Sequence, residues 1–190
     1  MNIKASIVGA TGYTGVELIR ILCQHPKVKL SYMTSESYQG QSLSDIFPHL
    51  SNLVKDMSFC SLDIEKMADR SDVVFLALPH ATAAPIAKKF LEHGVKVIDL
   101  SADLRLRDGK TYEKWYQHKP ASDEILARAV YGIPEIGKQK LIKHTDLIAN
   151  PGCYPTASIL AVAPLIRNGL LDSKSMPIIL DAKSGVSGAG

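Results

Sequence analysis

An α/β fold on a mainly parallel sheet is predicted by three observations. Short apolar, β-branched runs alternate with longer segments of helical period. The first run feeds a glycine-rich stretch, "GATGYTG", which opens directly into an amphipathic segment. The same strand-then-helix rhythm returns several times, the pattern of βαβ units.

The elements follow in order. "IKASIVG" reads as a buried strand. "GVELIRILCQH" reads as a helix, with Val16, Ile19, Leu22 and Cys23 near a 3.6-residue period. "KVKLSYM" is a second strand. Residues 34–48 are polar and carry Gly and Ser, so a loop is expected, and "MSFCSL" is expected as a short strand. "DVVFLALP" is a buried strand, and "ATAAPIAKKFLEHG" a helix that stops at Gly94. "VKVIDLS" and "DLIANPG" are further strands. "YPTASILAVAPLIRNG" is another helix, and "MPIILDAKSG" starts one more strand. No internal repeat or low-complexity segment interrupts this order.

Composition narrows the class. The chain has 190 residues, 46% hydrophobic and 22% charged, a globular balance. Its net charge of +3 is spread without a basic block, which argues against nucleic acid and membrane surfaces as partners. No apolar run approaches the ~20 residues of a membrane span. The N-terminus enters a strand without a signal-peptide pattern. Cys23, Cys60 and Cys153 are odd in number and widely spaced, which fits neither a disulfide framework nor a metal site. A reducing cytoplasm is the expected location.

The glycine stretch, residues 9–15, has the strand-before, helix-after context of a dinucleotide fingerprint. Gly9, Gly12 and Gly15 allow a tight turn and a close backbone approach. With Thr11, Tyr13 and Thr14 they place free N–H groups and a positive dipole end where a pyrophosphate would sit. The spacing is GxxGxxG rather than GxGxxG, so a purely structural turn is the alternative. The second strand ends in "MTSES", where NAD binders carry an acidic residue for the ribose. Thr34 and Ser35 are neutral donors that suit a 2′-phosphate. NADP is therefore the expected cofactor, with Glu36 turned to solvent. A Rossmann-like domain follows from these readings.

The stretch "NPGCYPT" frames Cys153 in an unusual way. Pro151 and Gly152 make a turn after a strand, and Pro155 falls in the first turn of a helix, where its missing N–H costs nothing. Cys153 then sits at or near the helix N-cap. The dipole and the unpaired N–H groups favour a thiolate there, and the same N–H groups can receive an oxyanion. A nucleophilic thiolate beside a nicotinamide suits attack on an activated acyl group, followed by hydride reduction of the thioester. The plain alternative is an inert, buried cysteine, which is the expectation for Cys23 and Cys60.

With these residues in view, the chain resembles the N-acetyl-gamma-glutamyl-phosphate reductases of arginine biosynthesis, relatives of aspartate-semialdehyde dehydrogenase. The resemblance is carried by "GATGYTGVELIRIL", "YQGQSLSDIFPHL", "FLALPHATA", "DLSADLRLRD", "YGIPEI", "NPGCYPTA" and "DAKSGVSGAG". Two small departures stand out: the family usually has Gly at Ala81 and Phe at Leu104. The resemblance implies that Cys153 displaces phosphate from an acyl phosphate and that NADPH reduces the thioester to N-acetylglutamate semialdehyde. It implies that residues 9–15 hold the pyrophosphate, Ser35 the 2′-phosphate, and that Ser187 and Gly188 lie near the nicotinamide. Arg105 faces the substrate phosphate or carboxylate, or else makes a structural salt bridge. Asn150 orients the acyl group, or else stabilises the turn. His80 touches the cofactor, or else is a loop residue at a helix start.

The resemblance also implies a boundary near residue 150. Residues 1–150 form the NADP-binding domain, and residues 151–190 carry the nucleophile helix and the first strand of an incomplete α+β substrate domain. Family members are longer, and none of the six histidines here sits in a segment like the family's catalytic histidine. The chain alone is then expected to be a poor catalyst, since one base can contribute ~10²–10⁴-fold, and to expose an apolar face. A homo-oligomer, a tetramer by resemblance, is expected. The alternatives are a lysine-pathway homologue acting on an aminoadipyl phosphate, one methylene longer, and a non-catalytic NADP-binding fragment.

Overall fold

The computed structural model describes residues 2–54, 56–137, 139–172 and 177–189. The first half runs β1 (Ile3–Val8), α1 (Tyr13–Cys23), β2 (Val28–Met33), α2 (Leu43–Ile46), α3 (Ile64–Ala68), β3 (Val73–Leu76), α4 (Ala83–Glu92) and β4 (Lys96–Asp99). The second half runs α5 (Gly109–Tyr116), α6 (Asp123–Arg128), β5 (Val130–Tyr131), α7 (Gln139–His144), β6 (Leu147–Ala149), α8 (Cys153–Arg167) and α9 (Val186–Ala189). The described strands form one sheet in the order β2-β1-β3-β4-β6-β5, and every neighbouring pair is parallel. This is a Rossmann-type α/β arrangement, as the alternation of runs predicts.

The chain leaves β1 toward β2 on one side and crosses back to β3 on the other. A crevice opens at such a reversal, outside the C-terminal ends of the strands. The backbone holds the switch tightly. Thr34 N–H donates to Ile7 O, Ala10 N–H to Thr34 O and Ala77 N–H to Val8 O. The β1/β2 register shifts between Ala5 and Ser6. There the buried Ser6 Oγ accepts from Tyr32 N–H and pairs with Ser71 Oγ, so the irregularity leaves no donor stranded.

Two apolar layers sandwich the sheet. On one face Ala5, Ile7, Ile19, Leu22, Leu30 and Phe59 pack together; on the other, Val8, Val74, Leu76, Ala87, Phe90 and Leu126 do so. Alternate residues of β1 thus serve opposite faces, as the pleat requires. α4 closes with Gly94 at φ +75°. Val95 N–H reaches Phe90 O and Gly94 N–H reaches Leu91 O, the paired bonds of a Schellman stop.

The structure departs from the sequence reading in several places. Residues 34–48 are not all loop, because Ser42 caps the short α2 through Ser44 N–H. "MSFCSL" makes only two isolated bridges, Thr34 with Cys60 and Ser42 with Ser58, rather than a ladder. Helices α3, α5, α6 and α7 and the edge strand β5 carry no periodic signal long enough to announce them. The strand expected from "MPIILDAKSG" is a correction: residues 177–185 form no strand, since a strand exists only against a partner and none lies beside them among the described residues. Met176 of that stretch lies outside the described residues. Ile179 is 88% exposed and Val186 91%, and α8, apolar along its length, buries none of its residues.

Two glycines of the first turn differ in what they meet. Gly9 has φ +82°, and a Cβ there would lie 2.3 Å from Ala77 O; at Gly12 the nearest atom would be Gly9 O at 3.9 Å. Gly9→Ala is expected to cost roughly 2–4 kcal/mol in urea unfolding. Gly12→Ala, at a helix N-cap, is expected to cost about 1 kcal/mol while weakening nucleotide binding at least about tenfold. Equal stability losses in the two variants would contradict this division.

Candidate active site

The candidate residues 9–15, Ser35, Arg105, Asn150 and Cys153 follow C-terminal strand ends of the sheet, while Ser187 and Gly188 lie in α9. After β1 comes the glycine turn. α1 starts at Tyr13 after the N-cap Gly12, which makes no side-chain cap. Gly15 lets the helix press on the turn, since a Cβ there would lie 2.5 Å from Gly9 O. After β2, Thr34 Oγ1 accepts from Gly9 N–H, and Ser35 Oγ shares a hydrogen bond with Thr11 Oγ1 at 3.0 Å and accepts from Tyr38 N–H. A cleft of about 520 Å³ lies between these loops, lined by Gly9, Ser35, Glu36, Leu78 and Pro79. Glu36 is exposed and forms part of that lining, at its solvent edge. Open space over Gly12, an uncapped helix start and a neighbouring hydroxyl pair fit a dinucleotide phosphate.

The second centre lies after β4 and β6. Gly152 is the N-cap of α8, Cys153 its first residue and Pro155 lies in its first turn, so the cysteine stands where the turn chemistry places it. Its side chain is exposed. Cys23 and Cys60 are half-buried, and burial pushes both their thiols up. Thr156 locks the turn by donating N–H and Oγ1–H to Gly152 O. A cleft of about 430 Å³ joins Cys153 to His80, Arg105, Tyr116, Tyr131 and Tyr154.

Among the described residues Arg105 does not make the structural salt bridge that was its alternative role; Nε donates to Asn150 O at 2.9 Å and Nη2 to Leu100 O at 2.8 Å. Nη1 lies 3.0 Å from where a Gly152 Cβ would stand, which explains the glycine. Asn150 Nδ2 donates to Pro151 O, the turn-stabilising geometry. Ser187 lies with Thr11, Gly12 and Tyr13 around a further cleft; it and Gly188 both belong to α9. The structure thus brings Gly9 and Ser35 to one cleft, Thr11, Gly12, Tyr13 and Ser187 to another, and Arg105 and Cys153 to a third, with Asn150 tied to Arg105 through its backbone carbonyl.

Sequence reasoning passed over the buried polar group behind the second centre. Asp99, Ser101 and Asp103 are at most 3% exposed. Asp99 accepts from Ser101 N–H and Oγ–H, and Ser101 Oγ accepts from Asp103 N–H. Asp103 Oδ1 accepts from Ala81 N–H and Tyr112 Oη–H, while Oδ2 accepts from Ala83 and Ala84 N–H. Ala102 N–H donates to His80 Nδ1, which leaves Nε2 as the protonated nitrogen. Tyr116 stacks on Tyr112 and meets His80 edge-on. The available signal was the alternation of polar residues in "DLSADLR", placed directly after a buried strand. Burial and the neighbouring Asp103 charge push Tyr112 up to about 12. Among the described residues no cluster of His, Cys, Asp or Glu is arranged for a metal, and no helix is long and apolar enough to cross a membrane.

Residues 4–144 match the family model for the semialdehyde dehydrogenase NAD binding domain, and residues 153–190 that for the semialdehyde dehydrogenase dimerisation domain. An N-acetyl-gamma-glutamyl-phosphate reductase of Moorella thermoacetica is 50% identical over 188 residues, covering 99% of this chain and 53% of the relative. One of Desulforudis audaxviator is 51% identical with the same coverage. The chain spans about half the length of the curated relatives it matches. Its fold is similar to aspartate semialdehyde dehydrogenase of Candida albicans, solved with NADP, at TM-score 0.63 and 20% identity over 88% of this chain and 48% of that one. The corresponding enzyme II of Vibrio cholerae gives 0.61 at 17%, over 88% and 47%.

Burial raises Asp99 from 3.8 to about 6, against the opposing pull of its bonds to Ser101. The folded state therefore favours the neutral acid. Its stabilising contribution is complete below the unfolded value and is lost as pH rises through about 6, to the extent of about 3 kcal/mol. Asp99→Asn keeps the neutral form at all pH. Chemical unfolding from pH 4 to 7 should show the parent losing stability relative to this variant; parallel curves would contradict the assignment.

Proposed function

The chain belongs to the semialdehyde dehydrogenase family, and from that membership we propose that it carries the cofactor loop and the nucleophile of an NADPH-dependent reduction. The substrate is N-acetyl-glutamyl 5-phosphate and the product N-acetyl-glutamate 5-semialdehyde, a step of arginine biosynthesis. The observation that carries this reading is Cys153, exposed at the first position of an uncapped helix and sharing a cleft with Arg105 and His80.

The chemistry follows from that position. Cys153 Sγ attacks the acyl carbon, the bond to the phosphate oxygen breaks, and phosphate leaves with its electron pair. The free N–H groups at the start of α8 receive the negative charge that develops on the carbonyl oxygen. Arg105, with Nε and Nη2 engaged, offers Nη1 to the departing phosphate or to the substrate carboxylate. Asn150 holds the turn and orients the acyl group. Bound NADPH supplies the hydride that the thioester carbon accepts. The carbon–sulfur bond then breaks, the semialdehyde departs and the thiolate returns.

Residues 9–15 hold the pyrophosphate against α1, and Ser35, beside Thr11, meets the 2′-phosphate that selects NADP over NAD. Ser187 and Gly188 lie near the nicotinamide. Residues 1–150 act as the cofactor domain, and residues 151–190 begin the substrate and dimerisation domain, through which the protein forms a homo-oligomer, a tetramer, in the cytoplasm.

The reverse reaction tests this. N-acetylglutamate semialdehyde, NADP and phosphate are mixed with the chain, and NADPH absorbance is followed. Cys153→Ser is expected to lose at least about 10³-fold in rate, and the semialdehyde one methylene longer to react roughly 10–200-fold less efficiently. A serine variant as fast as the parent would falsify the nucleophile assignment. Preference for the longer substrate would instead favour the aminoadipyl reaction.

A further inference from the structure

The sheet order places β4 between β3 and β6. The loop leaving β4 is therefore flanked by the His80 loop after β3 and the cysteine turn after β6. Within that short loop, successive residues grip opposite sides. Ala102 N–H holds His80 Nδ1 at 3.1 Å. Asp103 accepts from Ala81 N–H at 2.6 Å and from Ala83 and Ala84 N–H at 3.0 and 3.1 Å. Arg105 then reaches the other way, to Asn150 O, while also fastening Leu100 O on its own strand.

We infer that the 101–105 loop is a brace that sets the His80 loop and the Cys153 turn at a fixed separation, with Asp103 and Arg105 as its positioning residues. This rests on the reading of Cys153 as nucleophile. Asp103 is buried and acts as the cap that Thr82 does not supply: Thr82, the N-cap of α4, makes no side-chain cap, and its Oγ1–H goes to Pro79 O. A carboxylate at a helix N-terminus is favoured by the dipole and by each donated N–H. Its bond to Ala81 also holds that residue at φ +67°, a conformation that an alanine does not adopt unaided. Tyr112, itself buried, fixes Asp103 from the far side.

Arg105 suits its half of the brace because of shape. A planar guanidinium can donate to two carbonyls in fixed directions at once; a lysine ammonium is a point donor on a flexible stem. Arg105→Lys keeps the charge beside Cys153 but loses the fork, so it separates positioning from electrostatics. Gly152→Ala tests the same contact from the other partner, since its Cβ would press on Nη1 at 3.0 Å without removing a hydrogen-bonding group.

The test is the rate of iodoacetamide alkylation at each cysteine, read by peptide mass spectrometry on this chain. In the parent, Cys153 should react faster than Cys23 and Cys60. Arg105→Lys and Arg105→Ala should both slow Cys153 about tenfold, with added guanidinium restoring the alanine variant. Asp103→Asn and Gly152→Ala should slow it by a smaller factor, and Arg20→Ala, on the exposed face of α1, not at all. The half-buried Cys23 and Cys60 report folding in the same digests; a variant in which they turn fast has unfolded, and the Gly152→Ala result then decides. A lysine variant as fast as the parent overturns the brace and leaves the nucleophile intact. A parent in which Cys153 is no faster than the other two overturns both.

Discussion

A sheet whose strands all run the same way sends every C-terminal strand end to one edge, and the chemistry of this protein depends on that constraint. The glycine turn follows β1, Thr34 and Ser35 follow β2, His80 follows β3, the 101–105 loop follows β4, and Cys153 follows β6. No long-range folding event beyond sheet formation is needed to bring them together. Each helix that follows such a strand begins with N–H groups that need partners; Ser42 caps α2 and Asp108 caps α5. The protein resolves these ends differently. α4 receives a buried carboxylate from Asp103. α1 and α8 begin at glycines without side-chain caps, and those are the two ends at which an anionic group is expected.

The division follows from electrostatics. A helix start satisfied by Asp103 has no remaining attraction for a second anion, and α4 accordingly serves as scaffold. A helix start left open retains its N–H groups and its dipole for a ligand. At α1 the open space above Gly12 suits a pyrophosphate. At α8 the first position is held by a thiol, whose charged form the same field favours. The buried Asp99–Ser101–Asp103 chain of hydrogen bonds runs from the end of β4 to the start of α4.

Much of this was legible in the sequence because it is written in local patterns. "GATGYTG" and "NPGCYPT" each set a turn, a helix start and an open N-terminus within seven residues, and both stand where their spacing predicts. The main strands were announced by apolar runs. Less was legible where structure depends on distant partners. The edge strand β5 has two residues and exists through its pairing with β6. "MPIILDAKSG" has the composition of a strand but no neighbour to bond among the described residues. Arg105 read as a substrate-facing cation or a salt-bridge partner; among the described residues it makes no salt bridge, and its Nε and Nη2 bond two backbone carbonyls, contacts that no residue pattern encodes. Asp103 was invisible for the same reason: Ala81, before α4, and Ala83 and Ala84, which start it, lie about twenty residues upstream in the chain.

The central claim is that Cys153, placed by the turn after β6, takes the acyl group from the substrate phosphate. The first half of that chemistry needs no cofactor, so it can be observed alone. The chain would be incubated with N-acetyl-glutamyl 5-phosphate in the absence of nucleotide, quenched in acid and mapped by mass spectrometry. The account predicts an N-acetylglutamyl thioester on the peptide containing Cys153, discharged by hydroxylamine and absent from Cys23 and Cys60. An unmodified Cys153, or acylation spread evenly over the three thiols, would contradict it.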